Sequence, residues 1–236
     1  KGENYINYMA RLYLVGTHHL DLKGPERLEK FLGFVRPDTV GLESTVENYQ
    51  RRIQNHEQLK SQKLLLRLMF REQYSPEAAE NVVKYLDMLG YELWVSSKFS
   101  RENSGVTLVH CDEYRKEDMK AMTQEVFGDR VNEAQEVTTD YIDEIARTDF
   151  AELQRSIDAF YHDNSVAELQ KDPASFKALI LDRDERTEPK IRQAFSVGNH
   201  TMIYVGGTMH FFGAYNNLYE RLKGLSPTRI RLPEVD

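Results

Sequence analysis

Two segments near opposite ends of the chain share one arrangement: Gly16-Thr17-His18-His19 and Gly207-Thr208-Met209-His210, each Gly-Thr-x-His directly after an apolar run. Glycine lets the backbone turn sharply at a strand end, so that the fourth residue can stand over the sheet edge. Two imidazoles so placed suit two chemistries. Neutral histidines coordinate divalent ions such as manganese, cobalt or zinc; with an ordinary pKa near ~6.5 they also serve as general base or general acid. Either histidine alone reads as a strand-end residue bonded to backbone. The pair of matching corners is what points to a site. Glu43 ends a third apolar run, where a carboxylate is costly unless paired or ligated. It suits a third metal ligand or a base toward water, the alternative being a surface glutamate one step past the strand.

The elements that must position these residues follow from periodicity. Arg11 to Val15 (RLYLV) reads as a buried strand ending at Gly16. Gly24-Pro25 opens a helix whose buried face carries Leu28, Phe31, Leu32 and Val35, and Pro37 stops it. Thr39 to Leu42 (TVGL) is a second strand running into Glu43. This is a βαβ unit, and parallel strands put their carboxyl ends on one edge, so spacing alone brings His19 and Glu43 close. Farther on, Ser75-Pro76 caps a helix with Ala79, Val82, Val83, Leu86 and Leu89 on one face, ended by Gly90. Glu92 to Ser96 (ELWVS) and Val106 to Cys111 (VTLVHC) read as strands. Helical patterns cover Tyr114 to Phe127 and Asp149 to Tyr161, the latter with a capping box of Asp149 and Glu152. Another helix starts at Asp172-Pro173. The stretch from Asn132 to Asp172 suggests helices capping the site. Thr201 to Val205 (TMIYV) repeats the opening pattern, followed by a helix from Tyr215 to Leu222 and a strand from Thr228 to Leu232. The expectation is one α/β domain over residues 1–236, with a mixed, largely parallel central sheet flanked by helices.

Composition narrows the partners. A net charge of -7 disfavours nucleic acid and anionic membrane, both of which require a positive surface. No apolar run approaches the roughly 20 residues of a spanning helix; Leu64 to Phe70 is broken by Arg67. A single cysteine, Cys111, excludes an intrachain disulfide framework and suits a reducing, cytoplasmic location, while the opening Lys1 leaves room for a removed targeting or anchoring segment. A homo-oligomer is left open. The chain has no GxSxG, P-loop, GxGxxG, HExxH or EF-hand loop, which disfavours serine-hydrolase, nucleotide and nicotinamide chemistry. Cys111 and His110 are strand neighbours facing opposite ways and form no dyad. His110 reads as a core or sheet-surface residue, and His56, His162 and His200 as surface residues.

In order along the chain, LYLVGTHHL, DTVGLE, LDMLGYELWVSS with VTLVHCDE, DRDERTEPKI and YVGGTMHFFG resemble the ordered motifs of the TraB/Tiki (PrgY, GumN-like) family, which is placed with erythromycin esterase and ChaN-like proteins. The resemblance implies a metal-dependent hydrolase of peptidase type. It makes His19 and His210 the motif histidines, Glu43 the acidic partner, Arg183 the basic residue at a helix start, and Asp184 the residue after it. Gly16, Gly207 and Gly213 become the motif glycines and Asp112 a weaker middle-strand match. His18 competes with His19. Arg183 suits an oxyanion or carboxylate clamp, although the run Asp182-Arg183-Asp184-Glu185-Arg186 otherwise reads as a solvated charged face.

The function expected is hydrolysis of a peptide, or of another amide or ester, by a metal-activated water. His19, His210 and Glu43 would hold manganese, cobalt or zinc, and Arg183 the developing charge. Two alternatives keep the same residues: a metal-free esterase or amidase with a histidine base oriented by Glu43, and a non-catalytic protein that binds peptide or haem.

Overall fold

Nearly continuous burial along the strands marks a sheet covered on both faces. The computed structural model describes residues 10–113, 142–162, 176–197 and 201–236. Among them, five strands form one sheet, β1 (Arg11–Thr17), β2 (Thr39–Leu42), β3 (Thr107–His110), β4 (Thr201–Gly207) and β5 (Thr228–Arg231), in the order β3-β2-β4-β1-β5 with every pairing parallel. The α/β fold with a largely parallel sheet is as expected. The opening strand–helix–strand unit is also present, with β4 lying between its two strands.

Sheets of this kind are buried on both faces. Leu12, Leu14, Met202 and Tyr204 face one layer, whereas Val15, Val40, Leu42, Ile203 and Val205 face the other. The second layer is covered by α1 (Gly24–Val35), α3 (Pro76–Met88), α4 (Tyr91–Glu102) and α5 (Phe150–His162). The first is covered by α6 (Asp182–Ser196, entered through a π-helical turn at Lys177–Leu181) and α7 (Leu218–Leu222). The long helix α2 (Val46–Gln73) buries no residue completely and lies against α3 and α4. No helix among the described residues is long and apolar enough to cross a membrane.

The helix signals hold in detail. Pro25 sits in the first turn of α1, and Ser75 caps α3 by accepting the Ala78 N–H. Asp149 accepts the N–H groups of Ala151 and Glu152 at the start of α5. One segment differs: Glu92 to Ser96 lies within α4, not in a strand. A short apolar run cannot be told from a buried helical face by periodicity, and here Leu93, Val95, Ser96 and Ser97 are all buried on the helix. Gly90, at φ 69°, starts this helix rather than merely ending the previous one. The expected helices at Tyr114–Phe127 and from Asp172-Pro173, and much of the Asn132–Asp172 cap, lie outside the described residues.

The loop that carries His18 and His19 is tied down from behind. Arg27 of α1 is 3 % exposed and donates to Asp21 in that loop, to Asp158 of α5 and to Asp236. Asp21 is wholly buried and also accepts from Gln154. Removing one partner of a buried pair leaves an uncompensated charge, so Arg27→Met should cost about 3–5 kcal/mol in urea unfolding. A loss below about 1 kcal/mol, the range of a surface pair, would mean the network does not hold the loop.

Candidate functional site

Parallel pairing puts the ends of β1, β2, β3 and β4 on one edge, with Thr17 opposite Gly207, and Leu42 opposite both His110 and Val205. His19, Glu43, Asp112 and His210 therefore follow four neighbouring strand ends. The two Gly-Thr corners touch: a Cβ at Gly16 would fall 2.5 Å from Thr208 Oγ1 and 3.1 Å from its Cα. Only glycine permits that approach. Gly206 does the same for the acid, since a Cβ there would stand 2.9 Å from Glu43 Oε2.

Glu43 is the centre of the buried half. Its Oε1 accepts from Arg183 Nη2 (2.6 Å) and faces His210 Nε2 (3.2 Å), while Oε2 accepts the Gly207 N–H (2.6 Å). The same Arg183 nitrogen donates to Asp112 Oδ2 at 2.6 Å. His210 Nδ1 meets Asp184 Oδ1 at 2.5 Å. Burial alone would raise the Glu43 pKa, but His210 and Arg183 hold it well below the carboxylate range. Burial likewise opposes the His210 imidazolium, yet Glu43 and Asp184, one on each ring nitrogen, lift its pKa to about 10. Burial raises the Asp184 pKa in spite of His210.

Burial decides between the two readings of the charged run. Arg183 and Asp184 are buried, not part of a solvated face. Arg183 Nη2 donates to both Glu43 and Asp112, behind the cleft rather than in its lining. Gly213, at φ 125°, turns the chain beside Tyr215, away from these contacts.

The second half of the site is open. His19 Nδ1 lies 2.7 Å from Glu92 Oε1, with side-chain exposures of 67 % and 9 %. The Thr17 hydroxyl lies 3.1 Å from both Glu92 Oε1 and the Gly206 carbonyl, so it ties the acid to β4. The Glu92 carboxylate is the main reason the His19 pKa rises, to about 9, against the opposing effect of burial; water on the open side of the ring screens part of this. Among the described residues nothing takes His19 Nε2. His18 turns the other way: its Nδ1 accepts the Leu20 N–H and its ring meets Phe160 edge-on. A cleft of about 220 Å³ runs in front of Glu43, lined by Thr17, His19, Glu92, Leu93, Asn48 and Arg52 among others.

Glu92 is the residue that sequence reasoning misses, because its segment reads as a strand. The available signal was an acid at the head of an apolar run, directly after a glycine. His110 takes the expected quiet role: it is half-buried, with Nδ1 2.9 Å from the Ser44 hydroxyl and Tyr49 against its ring. Cys111 is buried and its thiol is pushed up to about 12, so it is no nucleophile at neutral pH.

A metal requires neutral imidazoles and carboxylates free to coordinate. His210 spends both nitrogens on carboxylates, Glu43 has a guanidinium on it, and among the described residues no three His, Cys, Asp or Glu side chains converge as a ligand set. The arrangement does not fit a metal centre. Comparison with protein-family models, with curated proteins and with solved structures finds no match for this chain.

Two measurements probe the buried half. Arg183→Ala strands two buried carboxylates and should cost about 3–5 kcal/mol. Adding Glu43→Gln should recover part of that loss, and simple additivity would deny the coupling. The pH response has a definite sign. Folded His210 holds its proton to about pH 10, whereas an unfolded histidine releases it near ~6.5. The stability it contributes is complete below the lower value and is lost as pH rises through the higher. His210→Gln should flatten unfolding free energy between those limits; an unchanged slope would place the dependence elsewhere.

Proposed function

We propose that the chain is a hydrolase of peptide, amide or ester bonds in which His19 takes a proton from water at the rim of the cleft, with no metal in the step. The observation that carries this reading is the His19–Glu92 pair: one ring nitrogen held by a buried carboxylate, the other open toward solvent. A carboxylate on Nδ1 fixes the tautomer and stabilises the imidazolium formed when Nε2 accepts a proton. The orienting acid is thus Glu92 and not Glu43. Glu43 is held too firmly as an anion to be a good base. Its role is to accept a hydrogen bond from the same water and aim it, with Arg183, His210 and the Gly207 N–H fixing the carboxylate.

Cleft size bears on the substrate. About 220 Å³ is less than the roughly 300–1,000 Å³ of pockets that enclose drug-sized ligands, so the cleft admits the reacting carbonyl with one neighbouring group. The rest of a peptide or ester would lie outside it. The ordered motifs that resemble TraB/Tiki proteins, and the wider resemblance to erythromycin esterase, support hydrolysis from a separate direction.

The test is a panel of peptides, amino-acid amides and aryl esters with parent, His19→Ala and Glu92→Gln proteins. Loss of a general base should reduce kcat by about 10²–10⁴ in His19→Ala. The rate should rise with pH along a limb between ~6.5 and about 9, and Glu92→Gln should shift that limb downward, since the acid is what raises it. Chelators should leave the rate unchanged. Loss on chelation with recovery in manganese, cobalt or zinc would replace this mechanism with the metal-dependent one. No turnover of any class, together with binding of peptide or haem, would overturn hydrolysis.

A further inference from the structure

The charges that line the cleft are balanced with one exception. Glu43 is answered from behind by Arg183 and His210, and Glu92 by His19. Arg52, on the exposed side of α2, lines the same cleft and has no hydrogen bond or ion pair among the described residues. One turn before it, Asn48 lines the cleft as well. The Asn48 Oδ1 is taken by Arg51 Nη2 at 3.1 Å, which leaves its amide N–H groups as donors. The aliphatic stem of Arg52 lies beside Gly90, where its Cδ is the one atom within 4 Å of an added Cβ, at 3.9 Å. Leu42, Leu89, Leu93 and Val205 add apolar surface to the same cleft.

We infer that Arg52 sets specificity in this cleft by holding a carboxylate on the substrate, close to the bond that is cleaved. The inference rests on the hydrolytic reading for the reaction but not for the binding. A guanidinium presents two parallel N–H donors that match a carboxylate edge to edge, and Asn48 adds a third donor from the same helix face. The ligand is a monoanion: Glu43 and Glu92 already line the cleft, and a phosphate dianion would meet both of them. Given a cleft this small, the carboxylate and the scissile carbonyl belong to neighbouring groups, as in an N-acyl amino acid or the last residue of a peptide.

The experiment measures binding of N-acetylglycine, N-acetylglycinamide and inorganic phosphate to the full chain by calorimetry. In the parent, N-acetylglycine should bind at least about tenfold more tightly than its amide, the scale of a charge-assisted bidentate pair. Arg52→Ala should abolish the preference and Arg52→Lys should keep only part of it; both substitutions are on the exposed face of α2, where folding does not depend on them. Equal or undetectable binding of acid and amide by the parent would overturn the inference, as would a preference that survives in Arg52→Ala or a tighter affinity for phosphate. A preference that vanishes in Arg52→Ala while no peptide, amide or ester of any class is hydrolysed leaves the binding inference standing and overturns only the hydrolytic reading.

Discussion

One guanidinium nitrogen, Arg183 Nη2, donates to two carboxylates that follow different strands, Glu43 after β2 and Asp112 after β3. Four carboxylates gather behind the sheet edge or beside it, and anions placed this close and this far from water would ordinarily take up protons. Glu43 and Glu92 are held below the usual carboxylate range, against burial, because cations are interleaved with them. Arg183 joins Glu43 to Asp112, His210 joins Glu43 to Asp184, and Arg183 and Asp184 are themselves consecutive residues on α6. The chain of charges thus closes on itself through one helix. If a member is removed, its neighbours lose a partner at a site with little water to replace it.

The open half is built on a different principle. His19 and Glu92 form a pair with one end in water, and their alignment comes from hydrogen bonds to backbone-anchored groups: Thr17 bridges Glu92 to β4, and the glycine corner at Gly16 seats β1 against Thr208. The buried half sets charge and the open half is free to exchange protons. Their meeting line is the Glu43 carboxylate, fixed on its far side and facing the cleft on its near side.

Much of this could be read before any coordinates. The strands at Arg11, Thr39, Val106 and Thr201 were marked by short apolar runs ending at glycine or acid, and parallel topology then carried His19, Glu43, Asp112 and His210 to one edge. What sequence could not separate was a buried strand from a buried helical face at ELWVS, and with that confusion went Glu92. The charges around Arg183 admit two readings in sequence, a site residue and a solvated face, for a related reason. An alternating run looks solvated, and only the tertiary structure shows that Arg183 and Asp184 turn inward. Contacts between residues about 140 positions apart, such as Arg183 with Glu43, have no local signature.

The position of β4 between β1 and β2 has a consequence for how such a fold can vary. The strand ends that carry His19, Glu43 and His210 form an inner frame in which a change at one strand disturbs its neighbours. Asn48, Arg52 and Glu92 instead come from the helical excursion that leaves β2 and returns at β3, near the sheet margin. A margin can be remodelled without rethreading the middle. Divergence of such a scaffold would therefore begin in that excursion, changing which molecules are admitted long before it touched the machinery that meets them.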